Sequence, residues 1–322
     1  MHSTRAHSAW SAHLDLPLAG GASAVRAQLP NGIRLTVVPN PVADVIAVRC
    51  FLRGGSSVER GDRAGVASLV AAVLTKGTER YSSRDIAREV ESLGAGLGAE
   101  STSDYFEVSF KSIGADFPRL LTLVADILRH ATFPEREVER ERHLALQALK
   151  ARRERPFTLA YERLRCELYS TQHPYARSPL GTPESLASIS RSDLVDYHRS
   201  VLQPDRLTIA LAGNINPDDA FAAIAAVFGD WSVLPAKLPV VSDECPERDR
   251  VTYCETLQDT QQAIVMVGYL AASIHSPDYV PLKLLNTYLG NGSSSRLFEQ
   301  LRDKLGLAYE VTSLYATRQQ AA

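Results

Sequence analysis

The apolar patterns of this chain run through one order of elements and then begin that order again, and no other feature restricts the possible folds as strongly. In the first pass, Asn31-Gly32 is a turn signal, after which Ile33, Leu35 and Val37 alternate as in a strand. A second strand, Val45 to Leu52, ends at Gly54-Gly55, and the alanine-rich stretch Gly65 to Leu74 suits a buried helix stopped by Lys76-Gly77-Thr78. Ile86, Val90 and Leu93 share a helical face behind a capping Ser83, Gly94 closes that helix, and Tyr105 to Phe110 alternates again. In the second pass, Ala263 to Leu270 echoes 45–52, Tyr279 to Leu289 echoes 65–74, Ser294 to Lys304 echoes 83–93, and Leu307 to Tyr315 stands where 105–110 stood.

The expectation is therefore an α+β chain of tandem duplicated units, each an antiparallel sheet packed with helices. The first continues through helical patterns at 117–130 and 135–154, the latter ended by Pro156, then a helix around Asp193 to Val201, a strand at 207–212 and a helix at 217–228. Residues 111–232 have no counterpart before Ala322, so the second unit reads as truncated. Pro235, Pro239 and Pro246 mark a linker over 233–247, which divides the chain into a flexible extension (1–28), a first domain (29–232) and an incomplete second domain (248–322).

Composition narrows the classes of function. The 35 basic and 37 acidic residues are interspersed, for a net charge of -2, and offer no basic stripe to a nucleic acid or an anionic membrane. No stretch is long enough to span a bilayer, and no signal peptide is recognisable, so a soluble, cytoplasmic protein is expected. Cys50, Cys166, Cys245 and Cys254 lie too far apart for a disulfide framework or a cysteine metal knot and read mostly as buried thiols. His2, His7 and His13 fall in the extension, where a loose segment is a poor metal cradle.

Five segments together resemble the pitrilysin/insulinase (inverzincin) metallopeptidases, in their processing-peptidase-like branch. They are LPNGIRLTVVPN from Leu29, GVASLVAAVLTKGT at 65–78, LGAGLGAESTSDY at 93–105, HPYARSPLGTPESL at 173–186 and LGNGSSSRLFEQLRDKLGLAYEV at 289–311. Active members carry H-x-x-E-H on the helix matching 65–74, because two histidines four apart grip zinc from one face while the glutamate serves as general base. Here the same register holds Ser68, Ala71 and Ala72, and the family's later glutamate ligand falls on Ala148. Glu141 and His143 lie nearby, but are expected to project from other faces than position 148. The resemblance thus implies no zinc in this chain and a zinc expected in a partner subunit.

What the resemblance retains is an arginine and a tyrosine seven residues apart, matched by Arg302 and Tyr309. In the family such a pair sits in the half without metal, where a phenol donor and a cation can stabilise the oxyanion of peptide hydrolysis or hold the substrate backbone. Arg302 is expected in the last turn of its helix, Gly306 in a left-handed cap, and Tyr309 at the start of the returning strand. Read without the family, Arg302 pairs with Glu299 on the helix surface and Tyr309 is a packed strand aromatic. Arg296 and the loop holding Gly290 and Gly292 are expected to fix the helix entry or border the substrate.

The function so implied is that of a non-catalytic subunit, inactive alone, which joins an HxxEH-bearing homologue as a heterodimer and acts on unfolded peptides held partly as an added strand on a sheet edge. A purely structural subunit and a self-sufficient zinc metallopeptidase are the alternatives.

Overall fold

A computed structural model describes residues 11–17 in their backbone, and 23–169, 173–235, 238 and 251–320 in full. They divide into two units, residues 1–155 with 178–240, and residues 156–177 with 241–322.

The first unit is built on strands β1 (Ser11–Pro17), β2 (Ser23–Gln28), β3 (Arg34–Pro39), β4 (Ile46–Arg53), β5 (Gly96–Ser101), β6 (Tyr105–Ser112) and β7 (Leu207–Gly213). Their order across the sheet is β1-β2-β3-β7-β4-β6-β5. Every pair is antiparallel except β3 with β7, which run parallel, so the expected all-antiparallel sheet is corrected at one position. The physical reason is that β4 runs back against the direction of β3, β6 runs back against β4, and the helices between β6 and β7 return the chain to the end where β6 began, so that β7 runs in the direction of β3.

The helices are α1 (Val66–Leu74), α2 (Ser83–Ser92), α3 (Phe117–His130), α4 (Glu135–Arg153), α6 (Pro183–Ser188), α7 (Arg191–Val201) and α8 (Pro217–Phe228), with α5 (Pro156–Leu168) in the second unit. Alternation in the strands and periodicity in the helices turn apolar residues to one side, where Leu35, Val48, Leu52, Phe106, Leu69, Val124, Leu194 and Ile224 belong to one core. The cap of α2 is Ser82, not Ser83: its hydroxyl accepts from Asp85 N while the Asp85 carboxylate accepts from Ser82 N.

Three expectations need revision here. Residues 11–17 and 23–28 of the expected extension are strands, and Ala24 and Ala27 are buried, because β3 offers a free edge that β2 fills and β1 extends. Residues 156–177 group with the second unit rather than with a first domain ending at 232. Cys50 is buried, burial and then the nearby Glu107 pushing its thiol up to about 12, whereas Cys166 and Cys254 are exposed. His2, His7, Cys245 and most of the expected linker lie outside the described residues, as does the side chain of His13.

The second unit holds α5, helix α9 (Tyr279–Gly290) and a π-helical segment, Phe298–Lys304. A Cβ built on Gly268 would come within 2.9 Å of Leu164 and 2.7 Å of Leu168, so the 263–270 segment lies against α5, and Leu270 packs by Tyr169 and Tyr175. Neither 263–270 nor 307–315 is a strand, since a ladder needs a paired neighbour and none exists for them among the described residues.

Candidate functional site

Helix α1 is fixed at its start by a buried carboxylate. Gly65 precedes it at φ 97°, a conformation that favours glycine, and Glu59 accepts hydrogen bonds from Gly65 N at 2.9 Å and Ala67 N at 2.7 Å. Seven of its nine residues are buried. Ser68 and Ala72, one turn apart, form the half-open stripe that Lys76 continues, while Ala71 turns into the core.

Helix α4 packs against α1. Its Ala148 is exposed, and Glu141, seven residues earlier, lies on the same face two turns away, since seven residues nearly complete two turns. This corrects the expectation that Glu141 points elsewhere: its side chain is 14% exposed and its carboxylate lies 3.7 Å from Lys76 Nζ. His143 does project outward, with its Nε2 3.0 Å from Gln147 Nε2. Zinc needs imidazole, thiolate or carboxylate donors, and positions 68, 71, 72 and 148 supply one hydroxyl and three methyls, so they do not fit the metal. Among the described residues no group of three or more His, Cys, Asp or Glu side chains is placed to hold an ion.

Strand β5, which sequence patterns alone left unassigned, packs beside α1 and forms one edge of the sheet. Its glycine-rich run GLGAES is half-exposed to exposed throughout, and a Cβ on Gly96 would meet nothing within 4 Å. An added strand thus has access to unpaired backbone groups there.

In the second unit, the π-helical segment ends in a double backbone closure. Gly306, at φ 61°, donates from its N to Arg302 O at 3.1 Å, the 5→1 bond of a left-handed helix end, and Leu307 N donates to Leu301 O at 2.8 Å, a wider bond that follows the π-helical turn as the chain reverses. The reversal carries Tyr309 back over Arg302: the guanidinium carbon lies 4.7 Å from the Tyr309 ring centroid and 4.6 Å from that of Phe298. Arg302 is thereby held between two rings, one four residues before it on the helix and one seven residues after it. Glu299 pairs with Lys304 at 2.7 Å instead, a contact that also lowers its pKa, so the simple helix-surface pairing of Arg302 with Glu299 does not form. Tyr309 is 85% exposed, unlike a packed strand aromatic.

The remaining predicted positions separate. Arg296 is exposed at the entry of that helix. Gly290 is buried, a Cβ there would meet Ser313 N at 2.4 Å, and its carbonyl accepts from Ser313 N and Thr312 Oγ1. Its hydrogen at Cα is therefore required by close backbone approach, whereas Gly292, at φ 106°, is open. Sequence reasoning missed Phe298 and the side-chain placement of Glu141, and both were signalled by helical spacing to residues already singled out.

Two family models match consecutive parts of the chain: insulinase (peptidase family M16) over residues 34–182, and the peptidase M16 inactive domain over 188–320. The chain is 28% identical over 289 residues to a Bacillus subtilis protein named uncharacterized zinc protease YmxG, covering 89% of this chain and 69% of that one. It is similar, at 26% identity and a TM-score of 0.80, to the structure of a peptidase M16 inactive domain from Pseudomonas fluorescens, covering 92% of this chain and 72% of that one. A protease from Helicobacter pylori shares the fold at a TM-score of 0.80 and 21% identity, over 97% of this chain and 73% of the other. The chain spans about two thirds of the length of the curated relatives it matches.

Proposed function

The chain belongs to the M16 (pitrilysin/insulinase) peptidase family, and from that premise we propose that it acts as a non-catalytic subunit for peptide hydrolysis at the metal centre of a homologous partner. The observation that carries this reading is the contrast within one chain between a metal face reduced to Ser68, Ala71, Ala72 and Ala148 and an Arg302–Tyr309 pair that remains assembled and open.

In this reading zinc belongs to the partner, and it supplies the Lewis-acid chemistry there. This chain contributes donors. Tyr309 offers its phenolic O–H to the carbonyl oxygen on which negative charge grows, and Arg302 adds a fixed cation beside it, with donors that also suit backbone carbonyls. The two rings around Arg302 restrict its motion before substrate arrives, so less side-chain entropy remains to be lost on binding. An unfolded peptide has the extended backbone needed to lie along the open edge of β5, beside the α1 stripe.

The test is cleavage of an unfolded peptide by a mixture of this chain with an HxxEH-bearing homologue. Both Tyr309→Phe and Arg302→Ala are expected to lower the turnover of the mixture without preventing assembly. Cleavage indifferent to both changes would favour a purely structural subunit, and cleavage with bound zinc in the isolated chain would favour a self-sufficient peptidase.

A further inference from the structure

Within the first unit, the turn that follows α1 is tied down on every side. Thr78 Oγ1 accepts from Arg80 N at 3.1 Å and Tyr81 N at 3.0 Å, Thr78 N donates to Tyr81 O, and Gly77 bridges Ser82. The same turn is joined to the end of α3, since Thr132 N donates to Gly77 O and Glu79 N to His130 O. Residues 132–134 are fixed as well. Phe133 lies at φ 49°, a conformation that costs energy for an aromatic residue, and Arg191 holds it there by donating to Phe133 O at 2.8 Å and Thr132 O at 2.7 Å. A Cβ on Gly77 would come within 2.9 Å of Pro134 Cγ, so the two segments touch.

Between these segments and the first turns of α2 and α4 lies a cavity of about 460 Å³. Four cations line it, Lys76, Arg80, Arg84 and Arg136, against two carboxylates, Glu79 and Glu137. Lys76 pairs with Glu141, Arg80 lies 3.8 Å from Asp126, and Glu137 lies 3.6 Å from Arg140. The side chains of Arg84 and Arg136 have no ion-pair or hydrogen-bond partner among the described residues, which leaves only Glu79 to offset two guanidinium charges. Each of these arginines also sits in the first turn of a helix, where the backbone dipole opposes a cation. An anion in the cavity relieves both. Lys76 continues the Ser68–Ala72 stripe of α1, so the cavity lies where that stripe ends. We infer that the cavity is a specificity subsite for an acidic residue of a bound peptide, whose carboxylate takes N–H donors from Arg84 and Arg136. Its volume is that of a small-ligand pocket, with room for a whole side chain rather than a lone ion. The inference rests on the peptide path beside α1 in the proposed function, and goes further by naming the chemistry of the substrate.

The experiment measures binding by the full chain rather than cleavage. Two labelled, unfolded peptides are compared that differ only in glutamates replaced by glutamines. The glutamate peptide is expected to bind more tightly by about tenfold or more, and to slow hydrogen exchange over residues 76–84. Arg84→Gln combined with Arg136→Gln, both at exposed positions, should abolish that preference and that protection while leaving the affinity for the glutamine peptide and the unfolding midpoint unchanged. Equal affinity for the two peptides, or a preference that survives the double substitution, would overturn the inference. A preference that is lost in the double variant, beside a mixture with the HxxEH-bearing homologue that cleaves nothing, would uphold the subsite and remove the catalytic reading alone.

Discussion

A guanidinium held between two rings keeps its N–H donors at the ring margins, where a peptide carbonyl can reach them. Because Tyr309 is exposed, removing its hydroxyl costs little folding energy, and Tyr309→Phe should lower partner-dependent turnover by about 10- to 1000-fold with an unchanged melting temperature. Steady-state cleavage alongside thermal unfolding checks both halves. Glu59 makes the opposite prediction. Its carboxylate satisfies two buried N–H groups at the start of α1, so Glu59→Ala should destabilise the first unit by about 1–3 kcal/mol, measured by denaturant unfolding. His198 provides a pH test. Burial lowers its pKa from 6.5 to about 4, Arg199 and His130 add to the shift, and a hydrogen bond to Leu128 O opposes it. Between those values the unfolded chain takes up a proton that the folded chain refuses. The stability it contributes is therefore complete above pH 6.5 and is lost as pH falls toward 4, by about 3 kcal/mol in total. Unfolding midpoints at pH 7.5 and 4.5 should differ less in His198→Gln than in the parent.

Among elements, helices were the more legible in the sequence, because their apolar spacing is local: α3 and α8 occupy the expected spans, and α4 ends one residue early. Strands depend on partners that a local pattern does not contain. β5 escaped notice because GLGAES has low strand propensity and owes its conformation to pairing with β6, while 263–270 and 307–315 have the propensity but no ladder. At the candidate site, Arg302 and Tyr309 are readable from the family motif, but the placement of Arg302 over both Phe298 and Tyr309 depends on the Gly306 reversal and the π-helical turn. Glu141 shares the face of Ala148 because seven residues nearly complete two helical turns, which neighbouring residue types alone do not reveal. The α2 cap gives a direct test at this scale: Ser82→Ala should cost about 1 kcal/mol and leave the rest of the first unit folded. Thermal unfolding reads it.

At the scale of the whole molecule, duplication separates the positions that the family resemblance assigns to a metal from the Arg302–Tyr309 pair. The metal positions and the Arg302–Tyr309 pair lie in different repeats and depend on different local structures, a buried helix start in one and a reversed helix end in the other. Loss of donors on α1 and α4 therefore leaves the second arrangement standing. The central claim is that hydrolysis belongs to a pair of chains, and the most direct measurement is a titration of this chain into a fixed amount of an HxxEH-bearing homologue while cleavage of an unfolded peptide is followed. The account predicts a rate that rises from near zero and saturates at one chain per homologue, with Arg302→Ala saturating at the same ratio but a far lower rate. A homologue that cleaves equally well without this chain would contradict it.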